Sequence, residues 1–203
     1  MYQIYKSEGI VLGSSDFSEA NKFIYIFTEE FGLISATAQS VRQIKSKLRS
    51  SLQKFSIVNL VLIRGRETWR ITNTEFKQNL YYEFRQENKK LKVVINVLFL
   101  VKKLLAGEKH NEKLYKIIRK TFSFFEKNNL NPSEISAFEN ILLIRILHNL
   151  GYFDVGKQIR GQNIYERIVE NDLYDYQVLL ETETLKKDII PDINEALLST
   201  DLF

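Results

Sequence analysis

The sequence predicts an α+β chain of two domains, a small N-terminal five-stranded β-barrel followed by an α-helical bundle. Three observations carry that expectation. Over residues 1–80 the apolar residues fall in short runs rich in Ile, Val, Phe and Thr, with the period-2 alternation of half-buried strands. From about residue 85 the apolar period becomes 3.6, the spacing of an amphipathic helix. A chain of 203 residues, 44% hydrophobic and 27% charged, can bury a core and has room for one or two compact units.

Strands are expected at 8–12, 22–28, 33–40, 55–63 and 69–76, with turn-formers between them at Gly13-Ser14-Ser15-Asp16, Gly32 and Gly65. Alternation is clearest in Ile34, Ala36, Ala38 and in Trp69, Ile71, where Arg70 and Thr72 face the other way. Five short strands predict an OB-like barrel, the smallest common arrangement that closes five strands and hides their edges. Leu91, Val94, Ile95, Leu98, Leu104 and Leu105 then form one helical face, and Leu114, Ile117, Ile118, Thr121 and Phe125 a second. Asn131-Pro132-Ser133-Glu134 is a helix start, with Asn131 as N-cap, Pro132 at the first helical position and Glu134 reaching back. The helix that follows, to Leu150, is apolar nearly all round, which puts it at the centre of the bundle, ending at Gly151. Asp192-Ile193-Asn194-Glu195 opens a short terminal helix after Pro191, while the pattern over 152–187 is weak. The expected domains are 1–80, an OB-fold nucleic-acid-binding barrel, and 81–203, a helical domain with an acidic, poorly patterned tail.

Composition narrows the chemistry. Cysteine is absent, which removes disulfides, thiolate zinc sites and cysteine nucleophiles. The two histidines, His110 and His148, have no partner at ligand spacing, and His148 reads as a hydrogen-bonded core or interface residue. Glu166, Glu170, Asp172 and Asp175 are the candidates for a divalent ion, with a solvated acidic surface the better reading. The glycines are isolated, without a phosphate loop. The expectation is a protein without catalytic residues, metal or cofactor. No stretch approaches the roughly 18 apolar residues of a membrane span, and no secretory leader is visible, so a cytoplasmic protein without membrane contact is expected.

The net charge of +4 is unevenly placed: residues 1–80 carry +4, residues 81–150 carry +6 and residues 151–203 carry −6. An anionic partner for the basic body follows, nucleic acid first. Arg42, Lys45, Lys47 and Arg49 put four cations in eight residues, with no acid from Thr37 through Gly65. They fall between the third and fourth strands, and loops beside an OB barrel are where single strands run. Lys54, Arg64, Arg66 and Arg70 extend the charge, and Trp69, Phe23, Tyr25 and Tyr5 are aromatics able either to stack on bases or to fill the core. A further lysine stripe, Lys109, Lys113, Lys116, Lys120 and Lys127, falls within an arc of about 60° at helical spacing. Lys113, Lys116 and Lys120 are its candidate DNA track, against an ordinary solvent face.

The segments 8–12, 16–22 and 31–36 resemble, in order and spacing, the N-terminal barrel of the bacterial recombination mediator family RecO. Lys45-Ser46-Lys47-Leu48-Arg49 followed by Leu52-Gln53 and Phe55 is similar to that family's basic loop and next strand. Phe138-Glu139, Leu142-Leu143, Leu147 and Leu150-Gly151-Tyr152 resemble its central helix and closing turn. The resemblance implies a mediator of DNA repair and recombination that is not an enzyme. Such a protein binds single- and double-stranded DNA, anneals complementary strands, contacts the single-strand-binding protein SSB and the ring protein RecR, and so assists loading of RecA. It implies cationic roles for Arg42, Lys45, Lys47 and Arg49. Gln39 and Gln43 stand where many relatives carry arginine, and many relatives hold a four-cysteine zinc site where this chain has 151–161 and no cysteine. The chain therefore resembles a short member of that family lacking the zinc-finger cysteines. The alternatives are a general single-stranded nucleic-acid-binding OB module without an annealing role, a metal-dependent nuclease using the acidic tail, and a scaffold without nucleic-acid contact.

With no thiolate and no paired histidine, the fold is expected to need no metal. Thermal unfolding should be unchanged by a strong chelator; a drop in Tm of several degrees would overturn this.

Overall fold

A computed structural model describes residues 3–66, 68–171 and 175–200. The chain divides into two compact units, one of Met1–Leu91 with Leu98–Tyr115, the other of Lys92–Val97 with Lys116–Phe203.

The first unit holds five strands, β1 (Ile4–Asp16), β2 (Lys22–Thr28), β3 (Gly32–Ala38), β4 (Ser56–Arg64) and β5 (Trp69–Asn79). They close as β1-β2-β3-β5-β4, antiparallel except for the short β3–β5 contact, so the expected OB-like barrel is present. Alternation turns Ile24, Ile26, Ile34, Ala36, Leu60, Leu62 and Ile71 into the core. Two differences from the sequence expectation concern β1 and β5. Gly13-Ser14-Ser15-Asp16 is not a turn. Gly13, with φ 156°, sits at a β-bulge where pairing with β2 skips a residue, and β1 runs on through it. A bulge lets one long strand bend and pair with both β2 and β4. β5 likewise extends to Asn79, whose side chain then caps the five-residue helix α2 (Leu80–Phe84) by accepting from the Tyr81 N–H.

Between β3 and β4 lies a single helical turn, α1 (Leu48–Ser51). Val41 and Leu52 join the barrel core and Leu48 packs against it, so the connection plugs the barrel. At the tip of the β2–β3 hairpin, Gly32 has φ 70°, and a Cβ there would meet the Lys109 carbonyl oxygen at 2.2 Å. The segment 105–111 is bound to this tip. The Leu33 N–H donates to Gly107, and His110 Nδ1 lies 2.7 Å from the Glu30 carbonyl. Inside the same unit the Glu8 carboxylate accepts from the Tyr115 hydroxyl at 2.9 Å and from Lys77 at 2.5 Å.

Two helices, α3 (Asn88–Leu104) and α4 (Glu112–Lys127), contribute to both units. The second unit is built on α5 (Pro132–Asn149), which opens with the expected capping box on Asn131 and Glu134 and packs against α6 (Ile164–Glu170), α7 (Tyr176–Thr184) and α8 (Lys186–Leu198). Phe138 of α5 stacks on Phe124 of α4, ring centres 4.9 Å apart. The charge on this buried helix is absorbed: Arg145 Nε and Nη2 donate to the Ile168 and Asn171 carbonyls, closing the free end of α6. Half-buried His148 has its Nδ1 3.2 Å from the Phe153 carbonyl, at the end of α5 and outside the core.

The terminal helix departs from expectation. It starts at Lys186 and contains Pro191, instead of beginning after it. Proline inside a helix costs about 3 kcal/mol, but Pro191 is exposed while Ile189 and Ile193 on either side are buried, so tertiary packing of that face outweighs the local cost. The connection 151–163 is tied to α8 by ionic contacts. Asp192 accepts from Lys157 and from the Tyr165 hydroxyl, each at 2.6 Å, and Arg160 stands 2.8 Å from Asp188. The Asp192 bond raises the Lys157 ammonium above its ordinary range.

Burial first, and then the hydrogen bond to Asp192, push the Tyr165 hydroxyl well above the usual tyrosine range. An unfolded tyrosine ionises near pH 10. Folded Tyr165 keeps its proton there, so its contribution to stability is complete below that pH and falls as pH rises above it. Unfolding midpoints measured from about pH 9 to 11 should decline more steeply for the wild type than for Tyr165→Phe. Parallel declines would mean that the hydroxyl ionises as freely folded as unfolded.

Candidate nucleic-acid interface

The connection 39–55 sets the geometry of the cationic residues. Its ends are in the left-handed region, Ser40 at φ 54° and Phe55 at φ 71°, conformations that cost an ordinary side chain of order 1 kcal/mol. Both are held by hydrogen bonds. The Ser40 N–H donates to Asn21 Oδ1 at 2.9 Å, and the Phe55 N–H to the Val11 carbonyl at 2.8 Å. Between them the chain is not extended. Successive turns, from Gln43 to Ser40 and from Ser46 to Gln43, lead into α1. Lys45, Lys47 and Arg49 are all exposed, but an alternating array along one side of an extended strand is excluded, because Lys47 is already helical and Arg49 lies in α1. The apolar residues between the cations cause this: Val41, Leu48 and Leu52 must reach the barrel interior together, and only a coiled path lets them.

The eight candidate cations fall into two groups. Arg42 and Arg64 are engaged. Arg42 donates to the Ser18 carbonyl at 3.0 Å and lies 3.4 Å from Asp16, and its N–H bonds Ala20, so it fastens the β1–β2 loop to the β3–β4 connection. Arg64 pairs with Glu108 and sits 4.7 Å over the Trp69 ring. Lys45, Lys47, Arg49, Lys54, Arg66 and Arg70 are exposed and form no ion pair among the described residues. Lys54 lies 4.8 Å over the Phe55 ring.

Arg49 and Lys54 meet Arg42 around a hollow of about 580 Å³ at the plugged end of the barrel, which also receives Lys22, Gln53 and Asp16. Lys45 and Lys47 lie outside its lining. Arg66 is in the β4–β5 turn, and Arg70 stands on the outer barrel surface opposite Thr37 of β3, itself opposite Phe23 of β2. Lys113, Lys116 and Lys120 are exposed on α4, Lys113 in the first unit and the other two in the second.

The aromatic candidates separate as cleanly. Trp69 is 2% exposed and packs with Tyr5 and Phe31, ring centres 5.2 and 4.8 Å away, so Trp69 and Tyr5 are core. Tyr25 bonds Ser15 and lies under Lys102. Phe23 is left on the outer surface against Phe17, 4.4 Å between ring centres, and Phe17 is 55% exposed. Phe17 is the residue sequence reasoning passed over. Its signal was an aromatic in a polar turn, where no core exists to bury it. Gln53 and Lys22 were passed over as well, and only folding brings them to the hollow.

Of the acidic tail, Asp172 lies outside the described residues. Asp175 caps α7 by accepting from the Gln177 and Val178 N–H groups. Among the described residues no three His, Asp or Glu side chains gather as a metal site, and no helix is long and apolar enough to cross a membrane.

A closed five-stranded barrel in this strand order, with a short helix between β3 and β4, defines the class of OB-type barrels. Residues 1–80 match the family described as Recombination protein O N terminal. The chain is 31% identical over 135 residues to the DNA repair protein RecO of Alkaliphilus metalliredigens, covering 66% of this chain and 54% of that protein. It is 27% identical over 150 residues to the DNA repair protein RecO of Caldanaerobacter subterraneus, covering 74% and 59%. With the counterpart in Clostridium novyi it shares 29% identity over 157 residues, covering 76% and 59%. The chain thus spans under two thirds of the length of these curated relatives.

The engaged state of Arg42 has a measurable consequence. Arg42→Gln removes a half-exposed ion contact and a bond to Ser18, so it should cost about 0.5–1 kcal/mol, a Tm lowered by a few degrees. Lys47→Gln should leave the Tm in place. Equal Tm values for both variants would return Arg42 to the unengaged group.

Proposed function

We propose that this protein is a DNA-binding recombination mediator. It holds single- and double-stranded DNA on the barrel, anneals complementary strands, and with RecR assists RecA loading on SSB-coated DNA in the cytoplasm. The observation that carries the reading is the set of six exposed cations without an ion pair among the described residues, spread over one barrel beside an outer surface that presents Phe17 and Phe23. Phosphates are neutralised by Lys45, Lys47, Arg49, Lys54, Arg66 and Arg70, and one or two bases stack on the phenyl pair. Nothing in this arrangement reads base edges, so base pairing between the strands supplies the sequence match while the protein suppresses their mutual repulsion. The mechanism moves no covalent bond, in keeping with a mediator and not an enzyme. The similarity to proteins named DNA repair protein RecO supports the same reading.

If about four of the six cations contact phosphates of a single strand, the log–log salt slope of binding is near −3. Annealing of complementary oligonucleotides, naked and SSB-coated, should therefore accelerate at low salt and fade as salt rises. Lys45, Lys47 and Arg49 changed together to Glu should abolish most of that acceleration with little change in Tm. Changing Lys113, Lys116 and Lys120 together to Gln flattens the slope further if α4 carries the track, and an unaltered slope assigns those lysines to ordinary solvent exposure. Wild-type annealing by the Glu variant at low salt would overturn the proposal.

A further inference from the structure

The hollow at the plugged end of the barrel has an apolar floor and a cationic rim. Ile24, Val41 and Leu52 form the floor, and all three belong to the barrel core, so the hollow is blocked beneath. Lys22, Arg42, Arg49 and Lys54 form the rim, with Gln53 and Ser14 as neutral hydrogen-bonding groups. Asp16 is the one carboxylate of this lining, and its contacts, 3.6 Å to Lys22 and 3.4 Å to Arg42, are long and exposed. One carboxylate among four cations leaves three positive charges in excess around about 580 Å³, a volume in the range of small-ligand sites. The rim is also fixed in advance. The Lys54 carbonyl accepts from Asn79 Nδ2 at 3.0 Å, and the next residue, Phe55, is pinned to Val11.

We propose that this hollow binds a phosphomonoester dianion, the terminal phosphate of a nucleic-acid strand, with the terminal base over the apolar floor. The inference rests on the strand-binding reading above and adds to it a preference for strand ends. An internal phosphodiester carries one charge and needs a path in and a path out. A terminal monoester carries close to two charges at pH 7 and offers three acceptor oxygens, and it suits a cationic hollow closed beneath by core side chains. Arg49 and Lys54, which have no acidic partner among the described residues, meet the phosphate. Gln53 and Ser14 complete its hydrogen bonds. A free deoxynucleoside monophosphate presents the same group and competes for the same place.

The test uses the full chain and a single-stranded oligonucleotide bearing a fluorophore at its 3′ end and either a phosphate or a hydroxyl at its 5′ end. A second pair exchanges label and phosphate. Fluorescence anisotropy at constant salt should show about tenfold tighter binding of the phosphorylated strand in at least one pair. Arg49→Gln with Lys54→Gln should erase that difference, and Arg49→Lys with Lys54→Arg, which conserves the charge, should keep it. Deoxyadenosine monophosphate that abolishes the difference identifies the phosphomonoester group itself as what is recognised, and failure of the nucleotide to compete assigns recognition to the strand terminus. Equal affinity for both ends in both pairs overturns the hollow site and leaves strand binding standing. A difference that persists in the Gln variant overturns the assignment to this hollow, and absence of all binding overturns both readings.

Discussion

The structure of the barrel depends on the plug. A five-stranded barrel has an open end through which water would reach Ile24, Ala38 and Ile71, and the β3–β4 connection closes it with Val41, Leu48 and Leu52. Burying three such side chains is worth several kcal/mol at about 1.5–3 kcal/mol each. That is enough to hold Ser40 and Phe55 in left-handed conformations and to coil the chain between them. Once Val41, Leu48 and Leu52 turn inward, Arg42, Lys47 and Arg49 beside Val41 and Leu48 turn outward, while Ile44 stays exposed next to Lys45. The outward set of these three cations is thus a by-product of closing the barrel.

The same constraint explains how much of the molecule was legible in the sequence. The strands were readable because alternation is a local property: β2 matches its expected span residue for residue, and β3 and β4 differ by one or two residues at their ends. The helix start at Asn131 was readable because a capping box is written in four consecutive residues. What failed was non-local. Gly13 looked like a turn because the bulge that uses it depends on β1 pairing with two strands at once. Pro191 looked like a boundary because the burial of Ile189 and Ile193 that overrides it comes from packing in the second unit. α6 and α7, of seven and nine residues, carry too few turns for a 3.6-residue period to stand out.

The candidate site was half legible for a related reason. The sequence singled out eight of the barrel's cations but could not say which were already partnered. Arg42 and Arg64 find their acids at Asp16 and Glu108, 26 and 44 residues away, so a local scan that saw no acid between Thr37 and Gly65 counted both as available. Trp69, the most conspicuous aromatic, is core, whereas Phe17, in a polar turn, is exposed. The preference of large aromatics for the interior decides such cases unless the chain locally offers no interior, as the turn between β1 and β2 does not.

This division changes what the formal charge means. A cation that binds a phosphate releases a counterion and gains affinity, but a cation already paired with a carboxylate must give that partner up, leaving the acid beside the incoming phosphate. The exchange is close to neutral for Arg64, whose ring contact with Trp69 would be lost as well. For Arg42 it is worse, since moving the guanidinium also releases the Ser18 carbonyl and loosens the β1–β2 loop. These two arginines therefore shape the surface, and the cations without partners charge it. Asp16 stands between the two roles. By holding Lys22 and Arg42 at long range without neutralising Arg49 or Lys54, it keeps the mouth of the barrel organised while leaving it positive enough to attract an anion.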